Sequence, residues 1–95
     1  MRTSKEIIEE IAKNYEFKRV CKNVIIFSNK KDAFYVEELS IDLYQRKYSK
    51  TCYDENFMFS PASISMKENN LIYELFQSFK KEDENKIKSI LTNKY

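Results

Sequence analysis

Val24-Ile25-Ile26-Phe27-Ser28-Asn29-Lys30-Lys31-Asp32-Ala33-Phe34-Tyr35-Val36 is the stretch on which the fold of this chain turns. It opens with four consecutive apolar residues, three of them β-branched. That run is too short for a helix and reads as a strand apolar on both faces. The polar residues from Ser28 to Asp32 mark a turn, because Asn and Asp tolerate a left-handed backbone better than other residues with a Cβ. Phe34-Tyr35-Val36 then begins the returning strand of an antiparallel hairpin.

Toward the N-terminus, Phe17 to Arg19 reads as a connection, and before it Thr3 and Glu6 form a capping box. Ile7, Ile8, Ile11, Ala12 and Tyr15 follow at the spacing of one helical stripe, with Glu9 and Lys13 as an i,i+4 pair on the outer face. The spacing predicts a helix over residues 4–14.

Toward the C-terminus, Glu37 to Lys47 reads two ways. Val36, Leu39 and Leu43 fit a helical stripe, while Leu39, Ile41 and Leu43 alternate as a strand. The flanking tyrosines and β-branched residues favour the strand, which then asks for a bulge or turn near Glu37-Glu38. Asp54-Glu55-Asn56 is the next turn signal, Phe57-Met58-Phe59 a short strand, and Ile64-Ser65-Met66 a further one. Pro61 between them marks an edge or a bend, since proline cannot donate to a ladder. Asn69-Asn70 can cap a helix carrying Leu71, Ile72, Leu75, Phe76 and Phe79. A polar break at Lys80–Glu84 precedes Ile87, Ile90 and Leu91, so the C-terminal part is one bent helix or two. The expectation is a single α+β domain spanning 1–95. It has an N-terminal helix, an antiparallel sheet of three to four strands, and a C-terminal helix or helix pair packed on one sheet face.

Composition removes whole classes of chemistry. The 95 residues contain no glycine, no histidine and no tryptophan, and one proline, Pro61. At average usage a chain of this length carries roughly seven glycines. Without them there is no phosphate-cradling Gly-rich loop and no dinucleotide-binding turn. Without histidine there is no Ser-His or Cys-His pair, and the commonest zinc ligand is missing. Neither metal nor cofactor is expected, and no catalytic residue. The carboxylates come mostly as sequence neighbours (Glu9-Glu10, Glu37-Glu38, Asp54-Glu55), which point apart on a strand or turn and read as solvated charge. Cys21, beside Lys18, Arg19 and Lys22, has an electropositive setting but no histidine base. Cys21 and Cys52 lack Cys-x-x-Cys spacing and read as free thiols of a cytosolic protein. No apolar run reaches the ~18 residues of a membrane span, and the N-terminus lacks a signal-peptide core. Abundant Lys, Ile, Asn and Tyr with no Gly point to an AT-rich gene.

The net charge is +2, yet residues 1–31 carry eight cations against four anions and residues 32–66 three against six. That asymmetry can steer a charged partner. The foremost candidate site is Tyr44-Gln45-Arg46-Lys47-Tyr48-Ser49-Lys50-Thr51-Cys52-Tyr53. Read as extended, it places Tyr44, Arg46, Tyr48 and Lys50 on one face. An exposed stripe of alternating ring and cation suits a protein hot spot, with Tyr44, Arg46, Tyr48 and Tyr53 as anchors and Lys50 supplying charge. Equally, Arg46, Lys47, Tyr48 and Lys50 suit RNA or single-stranded DNA. Exposed sheet edges leave a homodimer open.

In size, AT-rich composition and lack of catalytic groups the chain resembles small phage-encoded inhibitors of bacterial defence, the anti-CRISPR type. The resemblance implies a cytoplasmic, non-catalytic protein that occludes a host defence protein or nucleoprotein complex. The α-β-β-β-α order also resembles double-stranded-RNA-binding folds and related ribonuclease toxins, whose glycine-containing turn and histidine this chain lacks.

Overall fold

A computed structural model describes residues 2–21, 24–32, 34–56 and 58–79. The order is α1 (Ser4–Ala12), β1 (Phe17–Cys21), β2 (Val24–Lys30), β3 (Val36–Asp42), β4 (Lys47–Tyr53), β5 (Phe59–Pro61) and α2 (Met66–Ser78). The fold is the expected α+β arrangement with five strands rather than three to four. All five run antiparallel in the order β1-β2-β3-β4-β5. The additional strand is β1, in the stretch expected to be a connection. Its residues alternate, with Lys18 and Val20 opposite the buried Phe27 and Ile25 on one face and Phe17, Arg19 and Cys21 on the other. Further expectations are corrected, among them the Asn69-Asn70 cap, which lies inside α2. Glu37–Glu38 carries no bulge, because β3 pairs β4 without interruption from Val36↔Tyr53 to Asp42↔Lys47. The parity change disappears once Val36 is allowed to face away from the core. Ile64-Ser65-Met66 is not a strand, since Ser65 caps α2 and Met66 opens it.

α1 begins as the capping box requires. The Thr3 hydroxyl accepts from the Glu6 amide at 3.2 Å, and the Glu6 carboxylate accepts from the Thr3 amide at 3.2 Å. Its buried stripe is Ile7, Ile8, Ile11 and Ala12. α2 contributes Leu71, Ile72, Leu75 and Phe76. Both stripes meet Ile25 and Phe27 of β2, Leu39 and Ile41 of β3, and Leu43 just beyond β3. Phe27 is wholly buried at the centre, a placement that contributes about 1.5–3 kcal/mol relative to exposure. Arg2 ties the helices at their far end by reaching Glu74 at 2.7 Å and also Glu10. The helical continuation expected from Lys80 onward lies outside the described residues.

Side-chain carboxylates build the turns of this glycine-free chain. Asp32 accepts from the amides of Phe34 and Tyr35 at 2.7 and 3.0 Å. Asp42 accepts from Tyr44 and Gln45, both at 3.0 Å, and Asp54 from Asn56 and Met58 at 2.9 and 3.1 Å. Each loop of the β2–β5 meander is therefore closed by one aspartate at its start. Among the described residues, Arg46 alone takes a positive φ, 55°.

Candidate functional site

Alternation along β4 decides where the candidate stripe goes. Tyr48 and Lys50 lie opposite Ile41 and Leu39, two wholly buried residues, so both point under the helices. Lys47 and Ser49 face the other way and are exposed. Tyr44 and Arg46 precede the strand, in the turn that Asp42 closes. Tyr53 is on the face opposite Lys50, its ring 5.3 Å from that of Phe59. The expected exposed stripe of Tyr44, Arg46, Tyr48 and Lys50 does not form. Its members occupy a turn, the helix-covered face and, for Tyr53, the open face. Tyr48 is packed edge-on to Tyr73 with centroids 6.0 Å apart, lies 6.0 Å from Phe76, and donates its hydroxyl to Asn69. Tyr44 meets Phe79 at 5.7 Å.

Lys50 is the centre of a buried polar cluster. Its ammonium lies 3.1 Å from Glu68 Oε1 and 3.2 Å from Glu37 Oε1, and 5.6 Å from the centroid of the Tyr15 ring. Tyr15 donates its hydroxyl to the other Glu68 oxygen at 2.8 Å. The side chains of Lys50, Glu68 and Glu37 are only 11, 8 and 20% exposed. Ser65 accepts from the Glu68 amide at 3.1 Å as an N-cap should, and the Glu68 carboxylate is turned inward to Lys50 and Tyr15. The first turn of α2 is thereby pinned to the middle of β4.

Burial alone would push the Lys50 ammonium down, but its contacts with Tyr15, Glu68 and Glu37 outweigh it and raise the pKa above the ordinary lysine value. Burial, reinforced by the bond to Glu68, pushes the Tyr15 hydroxyl up as well. At neutral pH Lys50 stays charged and Tyr15 stays protonated, the opposite of what an amine nucleophile or a phenolate base requires.

α2 begins at the level of Lys50, so the helix-side face of the sheet is left uncovered beyond it. A polar cleft of about 310 Å³ opens there, bounded by Tyr15, Asn29, Lys31, Lys67 and the Lys50 cluster. Asn29 fixes one wall by accepting from the Glu16 amide at 2.7 Å and donating to the Asn14 carbonyl at 2.6 Å. Cys21 and Cys52 are free thiols, the latter with its sulfur 3.2 Å from the Ser60 hydroxyl. The described residues contain no cluster of three potential metal ligands.

The same end of the sheet carries a surface that the sequence reading placed inside strands. The register row Lys30–Val36–Tyr53–Phe59 brings the loop before β3 and the loop before β5 out side by side. From them Phe34, Tyr35, Met58 and Phe59 project with 57, 48, 69 and 67% of their surface exposed. The signal in the sequence is an aspartate turn followed directly by large apolar residues, Asp32-x-Phe-Tyr and Asp54-x-x-x-Met-Phe. No helix among the described residues is long and apolar enough to cross a membrane. No family model, curated protein or solved structure matches the chain.

Proposed function

We propose that this chain is a non-catalytic binding protein of a mobile genetic element, acting by occlusion of a host defence protein or nucleoprotein complex. The aromatic end of the sheet carries the proposal. Phe34, Tyr35, Met58 and Phe59 are all exposed and come from two loops at one end of the sheet, and large apolar residues exposed together mark interaction surfaces more than scattered apolar exposure does. Aromatic residues and methionine are also those enriched at the centres of protein interfaces. The protonation states held by Lys50 and Tyr15 support a binding role over catalysis. The mobile-element part rests on the AT-rich, glycine-free composition.

The test is capture of a stoichiometric partner from a low-GC bacterial lysate, in nuclease-treated and untreated halves, with the unchanged chain and two double variants. Met58→Glu with Phe59→Ser is expected to abolish capture at an unchanged melting temperature. Tyr44→Ala with Arg46→Ala, in the turn at the opposite end, is expected to leave it intact. The reverse pattern would move the site back to the Tyr44–Arg46 turn and overturn the proposal.

A further inference from the structure

We propose that the groove on the helix side of the aromatic end is a track for the backbone of single-stranded nucleic acid. This goes beyond docking through Met58 and Phe59 and makes a nucleoprotein the fitting target. The polar cleft above Lys50 shares Asn14, Tyr15, Asn29 and Lys31 with a neighbouring cleft of about 370 Å³ that reaches Lys13 and Lys30, so the two form one trough. Three lysines border it: Lys13 caps α1, Lys31 follows β2, and Lys67 lies in the first turn of α2. Lys30, which ends β2, lines its rim but shares the face of Val36, away from the helices. Lys13, Lys30 and Lys67 form no salt bridge among the described residues, and Lys31 reaches Glu37 only at 3.9 Å.

The acidic groups of the trough do not oppose this charge equally. Glu37 and Glu68 are turned down onto Lys50, leaving Glu16 as the one exposed carboxylate in the lining. The Lys31 amide donates to the Tyr35 carbonyl at 2.8 Å, which sets the loop carrying the exposed Phe34 and Tyr35 beside the Lys31 end of the trough. Cations that follow a backbone, ending at aromatic faces, suit a strand whose bases are unstacked. A duplex keeps its base faces inside the stack and has nothing to offer those rings.

The experiment is fluorescence anisotropy of labelled dT12 and U12 with the full chain in 50–200 mM salt. Lys13, Lys31 and Lys67 on phosphates give a slope of log affinity against log salt of about −2, or roughly a 20-fold loss across that range. Lys13→Ala with Lys67→Ala should reduce the slope to about −0.7. Phe34→Ala should lower affinity about fivefold or more while leaving the slope unchanged. Lys5→Ala, on the exposed side of α1, should change neither. Absence of binding at 50 mM salt overturns the proposal. So does equal binding of a 12-base-pair duplex or of polyglutamate, or a slope indifferent to the lysine pair. No protein partner is present in this assay, so its failure leaves the Met58–Phe59 docking surface standing.

Discussion

Replacing Lys50 by Met removes the cation shared by Glu37 and Glu68, leaving Glu37 with Lys31 at 3.9 Å and Glu68 with no cation among the described residues, and keeps a methylene stem of similar length in place. The two carboxylates then face each other in a site where their side chains are 20 and 8% exposed. Removing one partner of a buried ion pair costs about 3–5 kcal/mol, because the remaining charge has lost both water and counter-charge. The expected loss at pH 7 is therefore about 3–5 kcal/mol, a fall in Tm of about 15–30 °C for a domain of this size. Lys50→Met combined with Glu68→Gln should recover much of the difference, since one buried charge is removed while the acceptor for Tyr15 is kept. Urea unfolding followed by far-UV circular dichroism measures each quantity. A loss below about 1 kcal/mol would refute the view that Lys50 is a desolvated tie between β4 and α2.

Stability should hold up to about pH 10 and decline above it. Tyr15 and Lys50, from ordinary values of 10.0 and 10.5, both keep their protons longer in the folded chain than in the unfolded one. The folded state therefore binds more protons above pH 10, and linkage lowers stability as pH rises; an unchanged urea midpoint between pH 8 and 11 would contradict this. Ser65→Ala deprives the Glu68 amide of its acceptor and should cost about 1 kcal/mol, read as a lower urea midpoint at constant m-value. Arg46→Asn places a residue that tolerates left-handed backbone at φ 55° and should gain up to about 1 kcal/mol, visible as a higher Tm.

Those elements whose cause is local were legible in the sequence. Thr3, Glu6 and the Ile7–Ile8–Ile11 stripe specify α1 almost to its ends, and the Val24–Phe27 run specifies β2. The strand reading holds for Leu39 and Ile41, with Phe27 and Ile25 opposite them, while Leu43 falls in the turn that follows β3. What escaped depends on partners distant in sequence. Phe17-Lys18-Arg19-Val20 looks like a charged connector until Ile25 and Phe27 are placed beside it. Ser63-Ile64-Ser65-Met66 alternates like a strand, which hides the Ser65-x-x-Glu68 helix start. Lys50 sits in a segment polar on both faces, and nothing within ten residues reveals that Leu39 and Glu68 will bury it.

The aspartate-closed loops have a consequence for association. A surface loop that must be frozen when a partner arrives subtracts that ordering entropy from affinity. Here the amides of Phe34, Tyr35 and Met58 are already held by Asp32 and Asp54 in the free chain. With those amides held, each side chain that binding immobilises costs about 0.5–1.5 kcal/mol. The rings are presented as a preorganised face on a sheet end rather than as two independent tips. If the proposed docking holds, Asp32 and Asp54 would govern its affinity from behind the surface, and their loss would slacken binding without removing an atom of Phe34, Tyr35, Met58 or Phe59.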